Sequence, residues 1–210
     1  MSRIFALIIG YLLGIIQTGY IYGRMKNIDI RQYGSGNVGT TNVKRVLGKK
    51  ASIITYIVDC LKAIVAAVIV HFCFGIDEPD MDALLICYAG LGTILGHNFP
   101  FYLKFNGGKG IATSSGLIFS LIPYNPWLTV FGFLTFFSIK KITRYVSLAS
   151  LILMTTFAIE FIISGWLGYF NLEGAYQLEA DIIVIIMAVL AFVRHKSNIV
   201  RLLNGTERKS

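Results

Sequence analysis

Charge is scarce in this 210-residue chain. Only 14% of its residues are Asp, Glu, Lys or Arg, against about 25% in ordinary soluble domains. With 55% hydrophobic residues and a mean hydropathy of +0.68, a water-soluble globular fold is excluded, because too little polar surface exists to cover the apolar bulk. Cysteine is also sparse. Cys60, Cys73 and Cys87 all sit in apolar stretches, with no CxxC or Cys/His spacing, so neither a disulfide framework nor a zinc site is expected. No cluster of carboxylates calls for a metal, and no cofactor is expected. The first apolar run, Ile4 to Tyr22, has one basic residue ahead of it and no small-residue cleavage pattern, which marks a retained helix rather than a signal peptide.

What the chain does have is a series of apolar runs at about 4–23, 52–75, 83–103, 111–122, 126–139, 146–169 and 181–193. A bilayer crossing takes about 20 such residues, so the length is used up by spans and no separate soluble domain is expected. The fourth and fifth runs are short and meet at Pro123-Tyr124-Asn125-Pro126, where proline interrupts helix on both sides. The expectation is an all-α polytopic membrane bundle, one domain over 1–210, of about seven transmembrane helices. Of 19 basic residues, 17 fall between the first and second spans, after the third, after the fifth and in the tail. The alternate loops hold Asp77, Glu78, Asp80 and Asp82, then Glu173, Glu179 and Asp181, without Lys or Arg. The positive-inside rule then places the N-terminus outside and the C-terminus in the cytoplasm. The +8 net charge therefore reads as membrane orientation, not as nucleic-acid binding.

Between the first two spans lies GSGNVGTTN, residues 34–42, which contains GxGxxG followed 20 positions later by Asp59. A dinucleotide-binding turn requires a preceding strand and a βαβ unit, and neither fits between membrane helices. Asp59 falls inside the second span, three residues before Lys62. That spacing puts both on one helix face, and ionisable groups at membrane depth face the interior with a partner. An internal pair is expected, and the spacing alone leaves it structural or catalytic.

The loop itself remains chemically specific. Three glycines within six residues allow successive N–H groups to form an anion-holding nest, Ser35, Asn37, Thr40, Thr41 and Asn42 add donors, and Arg45 adds a fork suited to phosphate. A second glycine loop, GHNFP (96–100) followed by NGGKGIAT (106–113), falls on the same side. Lys109 is followed by Gly110 rather than Ser or Thr, so this is no Walker A motif. Gly107, Gly108 and Gly110 around a lysine at a helix start nevertheless suit an anion. Thr143-Arg144-Tyr145-Val146-Ser147 and Arg194-His195-Lys196-Ser197-Asn198 complete the same face, and on a continuing helix His195 and Asn198 point the same way.

In that order, GSGNVGTTN with Arg45, Asp59 with Lys62, GHNFP with GGKGIAT, TRYVS and RHKSN resemble the small bacterial integral-membrane acyl-phosphate:glycerol-3-phosphate acyltransferases over nearly the whole chain. Two positions depart from the pattern: Thr40 stands where that family usually has Ala, and Ala63 where Gly is usual. The resemblance implies transfer of a fatty acyl group from acyl phosphate to glycerol 3-phosphate, giving lysophosphatidic acid and phosphate. It implies action as a monomer in the bacterial cytoplasmic membrane, with the active site facing the cytoplasm. Ser35, Lys109, His195 and Asn198 are the expected catalytic group. Ser35, Gly36, Asn37, Thr41, Asn42, Arg45, Gly107, Gly108, Lys109, Gly110 and Ser147 are expected to hold phosphate, with Asp59, Lys62 and His97 in support. None of His71, His97 and His195 has Asp five residues later, so the HxxxxD route of thioester-using acyltransferases is closed. The resemblance implies instead that a donor phosphate oxygen helps take the alcohol proton. His195 is either an orienting group or a base. The competing class is an organic-anion transporter with a basic cytoplasmic gate, although transporter sites lie near the midplane at a repeat interface and no internal repeat is evident.

Overall fold

A computed structural model describes residues 1–209, and every regular element among them is helical. These are α1 (Ser2–Gly14), α2 (Thr18–Met25), α3 (Thr40–Val70), α4 (Asp82–Asn98), α5 (Ile111–Ser120), α6 (Trp127–Thr143), α7 (Val146–Trp166), α8 (Ala175–Arg194) and α9 (Lys196–Leu203), with short 3-10 and π turns between some of them. Five stretches are long and apolar enough to cross a bilayer: Ser2–Met25, Thr40–Gly75, Pro79–Leu103, Val146–Trp166 and Ala175–Arg194. The expectation was about seven spans. The remaining two runs form the anticipated hairpin, but α5 has only 10 residues, roughly 15 Å of helix, half the thickness of a bilayer's apolar core. Buried Asn125 holds the hairpin turn, accepting from the Trp127 N–H at 3.0 Å and donating to Ser164 Oγ at 2.8 Å.

The central element is α4, with 78% of its apolar window buried against 28–50% for the other spans. Its small residues permit this. Gly92 and Gly96 lie against the backbone of α1, and Gly10 and Gly14 of α1 lie against α4. A Cβ at Gly10 would come within 2.1 Å of Ala89 O, and one at Gly92 within 2.2 Å of Leu7 O. Two facing pairs at i, i+4 give the close small-residue crossing that lets helices associate in lipid. Gly116 of α5 approaches Cys60 O of α3 in the same manner. Around α4 the core continues through Met154, Phe157 and Phe161 of α7 and Met187 of α8, and Phe161 stacks on Phe170 at 4.3 Å between centroids. Outward-facing stripes stay apolar, as Ile53, Ile57, Leu61 and Val65 show at every fourth position of α3.

Two helices are interrupted, the first inside an apolar run and the second just ahead of one. The first span breaks between α1 and α2 at residues 15–17, and α3 turns at Gly48, whose φ of +87° belongs to glycine's territory. The latter break separates a cationic segment, 40–47, from the apolar span. Ser52 Oγ donates to Thr40 O across it at 3.1 Å, folding the segment back toward the bundle.

Candidate active site

GSGNVGTTN is fastened by its one large apolar residue. Val38 is buried with Ile30, Val43 and Ala51 in a small satellite core, and the chain passes so near α2 that a Cβ on Gly19 would meet Val38 O at 1.9 Å. Gly34 and Gly36 have φ of +64° and +71°, so the glycines supply the turn. The nest forms differently from the expectation. The N–H of Ser35 donates to Asn42 Oδ1 at 2.8 Å, that of Gly36 to Tyr33 O at 3.0 Å, and that of Gly39 to Asn37 Oδ1 at 2.8 Å. Asn42 Nδ2 donates to Tyr33 O at 3.0 Å. Asn42, expected to contact phosphate, thus has both ends of its amide engaged in bracing the loop. Ser35, Gly36, Asn37, Thr41 and Arg45 line the cavity beside Asn42, with the N-terminal turn of α3, where helix geometry leaves unsatisfied N–H groups.

The second loop also departs from a nest. Gly107 N donates to Asn98 O at 3.1 Å and Gly108 N to His97 O at 2.9 Å, so these amides are engaged by the end of α4. Glycine is required there for space: a Cβ would lie 2.1 Å from His97 O at Gly107, and 1.9 Å from His97 Nε2 at Gly108. Arg194 clamps the outer side, donating to Gly107 O at 3.2 Å and to Gly108 O at 3.0 Å while lying over the Phe99 ring. Gly110, at φ +81°, starts α5 and presents Lys109 to the cavity.

Below this loop the expected Asp59–Lys62 pair is present at 3.2 Å, 1% and 3% exposed. Lys62 Nζ also donates to Gly14 O at 3.0 Å and Ile16 O at 2.8 Å and meets His97 Nδ1 at 2.8 Å; Thr18 donates to Asp59 at 3.1 Å. An ammonium has only donors, so His97 Nδ1 accepts. The group therefore caps the carbonyls freed by the break in the first span and fixes His97 beneath Gly108. Buried Gln17 adds a bond to His97 O at 2.9 Å.

His195 sits at the junction of α8 and α9 rather than on a continuing helix, yet His195 and Asn198 are both buried and line the same cavity. His195 Nδ1 lies 2.8 Å from Ala191 O. A carbonyl only accepts, so Nδ1 carries the proton and Nε2 is left as an acceptor. Burial, reinforced by the Lys109 charge, lowers the His195 imidazole to about 4, which keeps it neutral at physiological pH. Burial brings Lys109 down to about 8, with Glu207 opposing and the surrounding arginines assisting.

Glu207 went unnoticed in the sequence. Its carboxylate accepts from Ser147 Oγ at 3.0 Å and Asn198 Nδ2 at 2.7 Å on one oxygen and from Arg201 Nε at 2.7 Å on the other. Burial raises this carboxyl, but the bonds from Arg201, Asn198 and Ser147 outweigh it and hold it below its ordinary value. Asn198 Oδ1 accepts from Lys109 Nζ. Ser147 and Asn198, expected to meet substrate directly, are thereby joined to Glu207 and Lys109 in one chain of bonds. Only its lone acidic charge in a basic tail distinguished Glu207, and no spacing rule marks such a residue.

Both glycine loops, α9 and the tail line one cavity of about 1780 Å³, and Phe119, Phe133, Phe136, Phe137 and Leu153 line it as well. Of the expected residues, Ser35, Gly36, Asn37, Thr41, Asn42, Arg45, Asp59, His97, Gly107, Lys109, Gly110, Ser147, His195 and Asn198 line it, whereas Gly108 and Lys62 stand behind. Among the described residues no group of three His, Cys, Asp or Glu side chains is placed to hold a metal.

The chain is similar to known proteins over nearly its whole length. Residues 4–205 match the family model described as glycerol-3-phosphate acyltransferase. A glycerol-3-phosphate acyltransferase of Aquifex aeolicus is 38% identical over 209 residues, with both chains fully covered. One of Halalkalibacterium halodurans is 43% identical over 206 residues, covering 97% of this chain and 93% of the relative. Crystal structures of an integral membrane glycerol 3-phosphate acyltransferase, PlsY, in its glycerol 3-phosphate and lysophosphatidic acid forms superpose with TM-scores of 0.84 and 0.81 at 35% identity, covering all of this chain and 96% and 95% of the other. The chain belongs to the glycerol-3-phosphate acyltransferase family.

Proposed function

We propose that this chain, acting as a monomer and a single domain over 1–210, transfers a fatty acyl group from acyl phosphate to glycerol 3-phosphate. The carrying observation is a cavity that joins a cationic, hydroxyl-rich floor to a phenylalanine wall in a member of this family. Such a cavity suits a soluble phosphate and an amphiphile with an anionic head together. Every relative described above is an acyltransferase, and none supports the transporter reading.

Arg45, Lys109, Ser35, Thr41 and the first turn of α3 hold phosphate oxygens. Acyl phosphate is a mixed anhydride and needs no covalent acyl-enzyme. A hydroxyl oxygen of glycerol 3-phosphate forms the new bond to the acyl carbonyl carbon, the bond from that carbon to the phosphate oxygen breaks, and the electron pair leaves with phosphate. The alcohol proton passes to a donor phosphate oxygen, with His195 Nε2 available as acceptor. Most of the rate then comes from positioning and from cations placed where charge gathers on the leaving phosphate. Glu207 keeps Asn198 turned so that its carbonyl steadies the Lys109 ammonium. All these groups face the cytoplasm, with the N-terminus on the other side, because 17 of the 19 basic residues fall at that end.

Purified protein in lipid, supplied separately with acyl phosphate, acyl-CoA and acyl carrier protein thioester, is expected to form lysophosphatidic acid only with acyl phosphate. Activity restricted to the thioesters overturns the donor assignment.

A further inference from the structure

The α6 wall of the cavity ends in a cation to which the mechanism gives no part. Phe133, Phe136, Phe137 and Lys140 stand at i, i+3, i+4 and i+7 and all line the cavity, so they form one helix face. Phe119 of α5 stacks on Phe133 with centroids 5.1 Å apart and lines the same cavity. Lys140 stands at the other end of the stripe, in the last turn of α6, with Nζ 6.0 Å from the Phe137 ring centroid.

Its state differs from that of several cations around the cavity. Arg31 is paired with Asp29, Arg201 with Glu207, Arg194 is engaged by the Gly107 and Gly108 carbonyls, and Lys109 by Asn198. Lys140 makes no ion pair among the described residues. Lys44, Arg45, Lys196 and Arg208 also line the cavity without an ion pair among the described residues, but none of them shares a helix with the phenylalanines. An unpaired ammonium at the head of an apolar stripe is complementary to an anionic head on a fatty chain, whereas glycerol 3-phosphate offers the charge but no chain for the stripe.

We propose that Lys140 with Phe137 forms a docking subsite for the head of the incoming fatty acyl phosphate, separate from the cations that hold glycerol 3-phosphate. The chain lies along Phe133 and Phe136, and Lys140 attracts the head from the α6 end both on docking and during its transfer at Lys109 and His195. This rests on the acyltransferase reading and divides the cavity's cations between the two substrates. A cation that binds donor equally before and during transfer lowers the donor KM and leaves kcat alone.

The test is steady-state kinetics in phosphatidylcholine vesicles, with palmitoyl phosphate and glycerol 3-phosphate varied in turn. Lys140→Ala is expected to raise KM for palmitoyl phosphate about three- to tenfold, as for a partly exposed charge contact. It should leave kcat and the KM for glycerol 3-phosphate within about twofold, while Lys140→Arg stays near wild type. Lys141→Ala is the control, since Lys141 is exposed and lies outside the main cavity. An equal rise in Lys141→Ala assigns the effect to general surface charge and refutes the subsite. So does a rise in the glycerol 3-phosphate KM instead, or no change in either. Wild-type protein inactive with palmitoyl phosphate but active with a thioester refutes the acyl-phosphate donor assignment on which the subsite rests, so the two failures are distinguishable.

Discussion

At the scale of single residues, the site is governed by which groups keep their charge. Lys109, at about 8, is protonated below that pH and loses its charge above it, so phosphate binding weakens as pH rises. The free-enzyme profile of kcat/KM is expected to fall on the alkaline side near pH 8, and Lys109→Arg to move that limb beyond pH 10, because a guanidinium stays protonated. An unmoved limb assigns it elsewhere. His195, at about 4, contributes no limb between pH 6 and 9. Ser35→Ala, Arg45→Ala and Lys109→Ala should each lower kcat/KM about a hundredfold, or roughly 2 to 4 kcal/mol, with melting temperatures near wild type; three wild-type rates rule the floor out as the site. Glu207→Ala should cost more activity than Glu207→Gln, since the amide still accepts from Ser147 or Asn198 whereas alanine leaves buried donors unmatched. Equal losses in the two indicate that only the Arg201 pairing matters.

Among elements, the decisive features are breaks and close crossings. Gly92→Ala places a methyl against Leu7 O and forces α1 from α4, an overpacking loss of about 1 to 3 kcal/mol, visible as a lower unfolding midpoint in detergent. Lys62→Met leaves Asp59 buried without its cation and should lose about 3 to 5 kcal/mol, while the double change with Asp59→Asn loses less; if the double variant is the worse of the two, the pair is not acting as a pair. Hydropathy locates the spans because an apolar run reports on its solvent. It is silent about the break at 15–17, where the carbonyls are received by Lys62 from a different helix. Gly48 likewise reads as one glycine among many, and only the positive φ shows it turning the Arg45 segment toward the cavity.

For the molecule as a whole, one polar cavity at one end predicts sidedness. In sealed vesicles of known orientation, single cysteines at Asn106 and Lys196 are expected to react with an impermeant thiol reagent from the cytoplasmic side, and one at Asp80 from the other. Labelling of Asn106 and Asp80 from the same side is incompatible with the proposed topology.

Composition determined that this chain lives in a membrane, because burial of so much apolar surface has no soluble solution, and motif order determined its family. The glycine loops pointed to the proposed anion site, with positive φ at Gly34, Gly36 and Gly110 and close packing at Gly107 and Gly108. Which groups remain for the anion was decided by tertiary contacts. Asn42 is engaged by its own loop, the Gly107 and Gly108 amides by the end of α4, and Ser147 and Asn198 by a glutamate from the tail. A donor's partner depends on distances between segments remote in sequence, and no local pattern encodes them.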